Sequence, residues 1–375
     1  MSPPPREAAG TANGAQAPAP TGDHDEVASL RWTALVSGAL VVACVLALVL
    51  VPVPFVTWAP GRTVNVLGTN DKGKPMISVS GLPNRRSDGQ LRLTTVSVTK
   101  VGSTLNLVEG LSAYWLPDRD VLPRSAVYPV GRSDQEVRDD EVQMMDTSQR
   151  DAVVAALRAA GQPVTEMPMV TAVSMSGAAY NLLRPGDLIE KVDGKAVQSV
   201  ADVQRLVRKH SVGDPVSLTV VRNGSRTTVS VVTSSSAKDP KVPVIGVSVG
   251  TGYRYTPTVS YGIPTDIVGP SAGLVLALGI YQTIAPTDLV GTLDVAGTGT
   301  IAADGTVSPI GGIQEKIAGA QRDGARIFLV PAGNCRDLAG VDTSMRLVRV
   351  DSLKDAISAI QKLRTGADSQ EVPQC

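Results

Sequence analysis

Residues 264–281 read PTDIVGPSAGLVLALGIY, and residues 295–335 read VAGTGTIAADGTVSPIGGIQEKIAGAQRDGARIFLVPAGNC. In the first stretch Ser271 sits behind Gly269-Pro270 at the head of an apolar run, Ala272 to Tyr281. That run is too long and too glycine-punctuated for an edge strand, and Gly-Pro breaks whatever precedes it, so Ser271 is expected at a helix N-terminus. Unsatisfied backbone N–H groups and the positive end of the dipole gather there. Taken alone, such a serine reads equally as a helix cap. In the second stretch Lys316 follows Gly311-Gly312 on an expected helix whose inner stripe is Ile313, Ile317 and Ala320. Lys316 falls about 40° from Ala320, at the border of the stripe, whereas Glu315 points away. A lysine pressed into an apolar wall loses hydration and its pKa drops. Only the neutral amine can accept a serine proton. The plainer alternative is a snorkelling lysine with its ammonium in water.

The two histidines, His24 and His210, both lie upstream of Ser271. A Ser-His-Asp arrangement needs an imidazole beside the serine, so Lys316 is the candidate base. The 375 residues suggest two or three domains. Lys+Arg and Asp+Glu number 35 each, and with no basic tract, nucleic acid is not an expected partner. With 3% aromatic residues, the cores are expected to be built of Val, Ala, Leu and Ile. Gly68 to Gly73-Lys74 has the spacing of a phosphate-binding loop, but Pro75 stands where a hydroxyl and a helix start are needed. It reads as a polar turn, and no nucleotide, cofactor or metal is expected.

Residues 1–30 are rich in Pro, Ala, Gly and acid, which predicts a disordered tail. Trp32 to Val53 is 22 residues without a charge, long enough to cross a bilayer of about 30 Å. No A-x-A-like cleavage site follows it. A single-pass transmembrane helix is therefore expected over 31–55, ended by Pro52 and Pro54, with Trp58 at the interface. Arg31 and Arg62 flank it, so positive charge does not decide the orientation. Cys44 lies within the helix, and Cys335 and Cys375 form the only pair outside it. They read as a disulfide in an oxidising space or as two unrelated thiols.

Between Val164 and Val232 the pattern changes. Val170 to Val173 alternates as a strand, and Leu183 to Ile189 turns into another. Ser199 is placed to cap a helix carrying Val203, Leu206 and Val207 on one face. Val216 to Val221 and Thr227 to Val232 form a hairpin around Asn223-Gly224, and His210 falls on the surface at the helix end. The run LRPGDLIEKVDGKAVQSVADVQRLV resembles bacterial PDZ domains, over about 70 residues. Such domains add an extended peptide to a sheet edge. Peptide binding and a purely spacing role both remain open for this one.

The segments that open this section, taken together, resemble the Lon-type protease domain, family S16. The resemblance implies Ser271 as nucleophile, Lys316 as its base, and Thr298 in Thr298-Gly299-Thr300 holding the lysine amine. The family's acid before Gly-Pro-Ser is replaced by Val268, which puts acidic regulation of the serine in doubt. LRLTTVSV from Leu91 and MDTSQRDAVVAALRAAG from Met145 resemble the early strand and helix of the same fold, with Ala152, Ala155, Ala156 and Ala159 packing one side. The expected class is therefore α+β: a transmembrane helix, then a Lon-type fold with an inserted PDZ domain. The divisions are a tail over 1–30, the membrane helix over 31–55, an early protease region over 56–161, a PDZ domain over 162–236, a proteolytic domain over 240–365 and a C-terminal tail over 366–375. The order resembles the YlbL-like membrane proteases of Gram-positive bacteria, which implies a membrane location with the soluble part extracytoplasmic. The function implied is an ATP-independent serine endopeptidase acting on peptides or unfolded proteins, alone or as an oligomer. The rival is a PDZ adaptor whose protease fold is structural.

Overall fold

The structure is a computed structural model that describes residues 23–116, 118–129, 131–366 and 371–375, without the side chains of 23–28. The tail expected over 1–30 falls outside the described residues as far as 22; from Asp23 the chain is helical. Helix α1 (Asp23–Leu50) contains the apolar span Ser29–Leu50, 22 residues with mean hydropathy 2.7 and none of its side chains buried. It ends before the expected 55, because Pro52 cannot continue it. Short strand β1 (Pro52–Val53) follows, then β2 (Phe55–Asn65), β3 (Ile77–Ser80), β4 (Gln90–Val98) and β5 (Leu105–Asn106). Next come helix α2 (Leu107–Trp115), strand β6 (Asp120–Pro123) and the long helix α3 (Asp134–Ala159). Ser133 and Glu136 close a capping box at the start of α3, each satisfying a backbone N–H that the first turn leaves unpaired. Ala152, Ala155 and Ala156 are buried as expected, but Ala159, in the last turn, is exposed.

The middle of the chain holds β7 (Thr165–Val173), β8 (Leu188–Val192), α4 (Val200–Val207), β9 (Pro215–Arg222), β10 (Ser225–Val232) and β11 (Val247–Arg254). Ser199 caps α4 by accepting from the Asp202 amide. The sheet runs β10-β9-β8-β7-β11 over a core containing Val170, Ile189, Leu206 and Leu218. Its last member, β11, lies beyond the stretch read as PDZ and pairs with β7 along all eight of its residues. His210 is not simply solvated: its Nε2 lies 2.7 Å from Asp193 Oδ2.

The chain then returns to the first unit through β12 (Thr258–Tyr261), α5 (Gly273–Ile284), β13 (Asp294–Gly297), β14 (Thr300–Ile301), α6 (Ile313–Arg322), β15 (Ile327–Pro331), β16 (Arg346–Val350) and α7 (Leu353–Arg364). The central sheet has the order β16-β15-β13-β4-β2-β6. Strands β4, β13, β15 and β16 are mutually parallel; β2 and β6 run against their neighbours. Strand β4 precedes the β7–β11 unit in sequence and β13 follows it, yet the two are hydrogen-bonded neighbours, and Arg92 clasps Asp294 across them at 2.6 and 2.9 Å. The smaller domain is thus an insertion in the larger fold.

Alternation along the parallel strands supplies both faces of this sheet. Leu91, Leu93, Val295 and Leu329 pack towards α3, α5 and α7. Ala296, Phe328 and Val330 pack towards α6 with Ile313 and Ile317. The expected interface residue Trp58 instead lies in β2 against Gly311 and Gly312, at the start of α6. Residues 68–74 form a polar turn in which Asn70 Oδ1 accepts from the Lys72 and Lys74 amides.

Candidate active site

Helices α5 and α6 lie on opposite faces of the central sheet, and their N-termini meet beyond the C-terminal end of β13. Open parallel sheets characteristically place their sites at that end of the strands. Gly269, with φ +90°, takes a backbone conformation that side-chain-bearing residues seldom adopt. It turns the chain into a short 3-10 segment, Pro270–Ala272, that leads into α5 and carries the half-buried Ser271. On the other face Gly312, with φ +70°, starts α6. A side chain there would meet Val96 at 2.7 Å.

Lys316, one turn into α6, reaches across the sheet end. Its Nζ lies 2.6 Å from Ser271 Oγ and 3.1 Å from Thr298 Oγ1. Thr298, the residue after β13, is fully buried and donates to the Ser271 carbonyl at 3.1 Å; the Gly299 amide donates to the same oxygen at 2.9 Å. The serine backbone and the lysine amine are therefore held by one threonine. Lys316 is 3% exposed, and burial pulls its pKa down from 10.5 to about 8, against a smaller upward pull from Glu315. All three residues singled out in the sequence lie within hydrogen-bonding distance.

Two further features bear on the site, and the second differs from the sequence reading. Of the amides around 269–271, that of Gly269 donates to the Glu141 carbonyl at 3.3 Å and Pro270 has none, which leaves that of Ser271. Glu315 does not point into solvent: it is 2% exposed and neither carboxylate oxygen has a partner among the described residues. Burial first, then Asp120 beside it, pushes its pKa up to about 7. The helical wheel identified the stripe facing the sheet centre; it had no signal for the cover supplied from the β2–β6 end. A cleft of about 520 Å³ opens beside Pro270, lined by Met144, Thr147 and Ser148 of α3 and by β14. In the inserted domain β11 is an edge strand, and α4 packs across β7, β8 and β11. The sequence reading missed this edge because β11 is separated from the other strands by the segment 233–246, which pairs with itself through Ser234–Ser235 and Pro243–Val244.

Comparison with known proteins finds relatives of both parts of the chain. The PDZ domain family matches residues 142–233, and the Lon protease (S16) C-terminal proteolytic domain matches residues 259–362. Lon protease 1 of Sorangium cellulosum is 38% identical over 107 residues, 28% of this chain and 13% of that protein. Lon protease 2 of Herpetosiphon aurantiacus is 44% identical over 85 residues, 23% and 10% of the two chains. The serine protease Do-like HtrA of Lactobacillus helveticus is 49% identical over 53 residues, 14% of this chain and 13% of that one. The chain thus spans at most 13% of the length of these curated relatives. Among solved structures, the PDZ domain of the SdrC-like protein from Listeria innocua is 24% identical, covering 22% of this chain and 92% of that one, with a TM-score of 0.21. The protein therefore carries a Lon-type (S16) proteolytic domain into which a PDZ domain is inserted.

Proposed function

We propose that the protein is a membrane-anchored serine endopeptidase that works through a Ser271–Lys316 dyad without ATP. The observation that supports this most is the 2.6 Å approach of a buried lysine amine to a serine hydroxyl at a helix start. In this reading neutral Lys316 takes the Ser271 Oγ proton as Oγ attacks a peptide carbonyl. The oxyanion is received by the Ser271 amide and the positive end of α5. The proton on Lys316 passes to the leaving amine, and water activated by the same amine hydrolyses the acyl-enzyme. Thr298 keeps Nζ pointed at Oγ throughout.

Substrates would be flexible peptides or partly unfolded proteins, whose extended segments can reach the dyad without ATP-driven unfolding. An extended segment adding to the free edge of β11 beneath α4 is the recognition step that the PDZ architecture supports. Arg254 ends β11, and Ser271 follows 17 residues later. The apolar helix Ser29–Leu50 would anchor the chain. The bond between Cys335 and Cys375 favours an extracytoplasmic catalytic domain, because disulfides persist in oxidising compartments.

The test is treatment of the detergent-solubilised full chain with a serine-directed phosphonate, followed by peptide mass mapping and assay on an unfolded substrate. Modification at Ser271, lost in Ser271→Ala and Lys316→Ala together with cleavage, is expected. Cleavage retained by Ser271→Ala would refute the dyad.

A further inference from the structure

Helix α2 has its apolar face turned outward. At 100° per residue, Tyr114, Leu107, Leu111, Trp115 and Val108 fall within an arc of about 120°. All five are exposed, Tyr114 and Trp115 at 72% and 73%. The residues α2 buries are the small ones, Gly110 and Ala113. Its polar residues, Glu109 and Ser112, lie away from the apolar arc, with Glu109 held in a capping box by Asn106. A soluble domain seldom presents a contiguous aromatic and aliphatic face to water without an occupant for it.

The connections of α2 indicate the occupant. Helix α1 ends at Leu50, and Pro52–Val53 pairs at once with Leu105–Asn106, which runs directly into α2. A methyl group added at Gly110 would stand 3.7 Å from Val53 Cγ2. The outward face of α2 is thus held at the point where the chain leaves the apolar helix. Tyr and Trp concentrate at membrane–water interfaces. A short helix with such a face lies in the plane of the bilayer, its apolar side about 5–10 Å into the headgroup–acyl boundary.

We propose that α2 is an in-plane membrane helix, a second contact that seats the catalytic domain on the lipid surface beside α1. The inference rests on the anchoring role given to α1 above. No Lys or Arg lies within α2, so insertion is driven by apolar burial and needs no anionic lipid.

The experiment uses the full chain in phosphatidylcholine vesicles whose acyl chains are brominated, which quench tryptophan on contact. Trp32→Phe leaves Trp115 and the half-buried Trp58 as emitters; Trp32→Phe/Trp115→Phe supplies the Trp58 background. Trp115→Phe reports Trp32 in α1. The expected result is quenching of the Trp115 emission without anionic lipid. Leu111→Glu, on the same face, should abolish that quenching and leave Trp32 quenched. Trp32 quenched with Trp115 unquenched would overturn the inference while leaving the anchor intact. Trp115 unquenched by lipid yet shielded from acrylamide would also overturn it, and would assign the face to a protein neighbour. If neither tryptophan is quenched, the anchor reading itself fails and the inference falls with it.

Discussion

Lys316 Nζ stands 2.6 Å from Ser271 Oγ although their helices cover opposite faces of one sheet. The contact is made around the C-terminal end of β13, where Thr298 joins the two sides. Neither the PDZ insertion nor the apolar helix α1 contributes a residue to this contact. Strand β13, which leads into Thr298, is paired with β4 from the other side of the insertion. Burial of the lysine follows from this position, and its cost sets the first prediction.

With its pKa lowered to about 8, Lys316 should give a cleavage rate that rises with an apparent pKa near 8. A depressed lysine contributes full stability only above its unfolded pKa of about 10.4 and loses it as pH falls through the folded value. At pH 7 the buried amine therefore costs up to about 3 kcal/mol. Lys316→Met should be inactive yet more resistant to urea at pH 7, with the gap closing above pH 10. A less stable methionine variant at pH 7 would show that Lys316 is solvated.

Glu315 carries the opposite linkage. Its folded pKa is raised to about 7, so its stabilising share is complete below about pH 4.3 and is lost as pH rises through 7. Glu315→Gln should flatten that loss in denaturation midpoints taken between pH 4.5 and 8. It should also move the rising limb of the activity profile to lower pH, because ionised Glu315 raises the pKa of Lys316. A limb that stays in place would mean that the carboxylate is not felt at the dyad.

Thr298→Val keeps the shape and removes the hydroxyl. The amine of Lys316 and the carbonyl of Ser271 each lose one partner. Each keeps one partner, the Ser271 hydroxyl for the amine and the Gly299 amide for the carbonyl, so the cost is that of lost hydrogen bonds, roughly 0.5–1.5 kcal/mol each. We expect kcat to fall about tenfold to a hundredfold with KM nearly unchanged, since the hydroxyl orients the base without touching substrate. A rise in KM at constant kcat would relocate Thr298 to substrate binding.

Much of this arrangement was legible in the sequence. Glycine and proline punctuation located the starts of both site helices, and the 3.6-residue wheel located the stripe that α6 buries. Alternation and Asn223-Gly224 located the β9–β10 hairpin. What escaped were contacts made at long range. Glu315 is buried by a sheet end more than 190 residues away in sequence, and a wheel describes only the helix on which it is drawn. Strand β11 is punctuated by Gly250 and Gly252 and has its partner 74 or more residues upstream, so neither propensity nor a local turn marks it as part of the inserted sheet.

The C-terminal segment, read in the sequence as a tail over 366–375, is fastened to the fold at residues 371–375. Val372 is 2% exposed, the Arg349 amide donates to the Pro373 carbonyl at 3.0 Å, and Gln374 bridges to Val348 in β16. Cys375 is bonded to Cys335, which packs against the α6 side of the core with Ile310 and Leu338. The bond ties the chain end to the wall on which the lysine helix rests. Closing a loop of 40 residues removes unfolded-state entropy equivalent to roughly 3–4 kcal/mol, an upper figure for real proteins. Cys375→Ser, and the native chain in reductant, should therefore lose comparable thermal stability while keeping the dyad active below the transition. Equal melting temperatures with and without reductant would show that the bond is absent in the native protein. The orientation argument would then lose its structural support, because an oxidising exterior is what the Cys335–Cys375 bond requires.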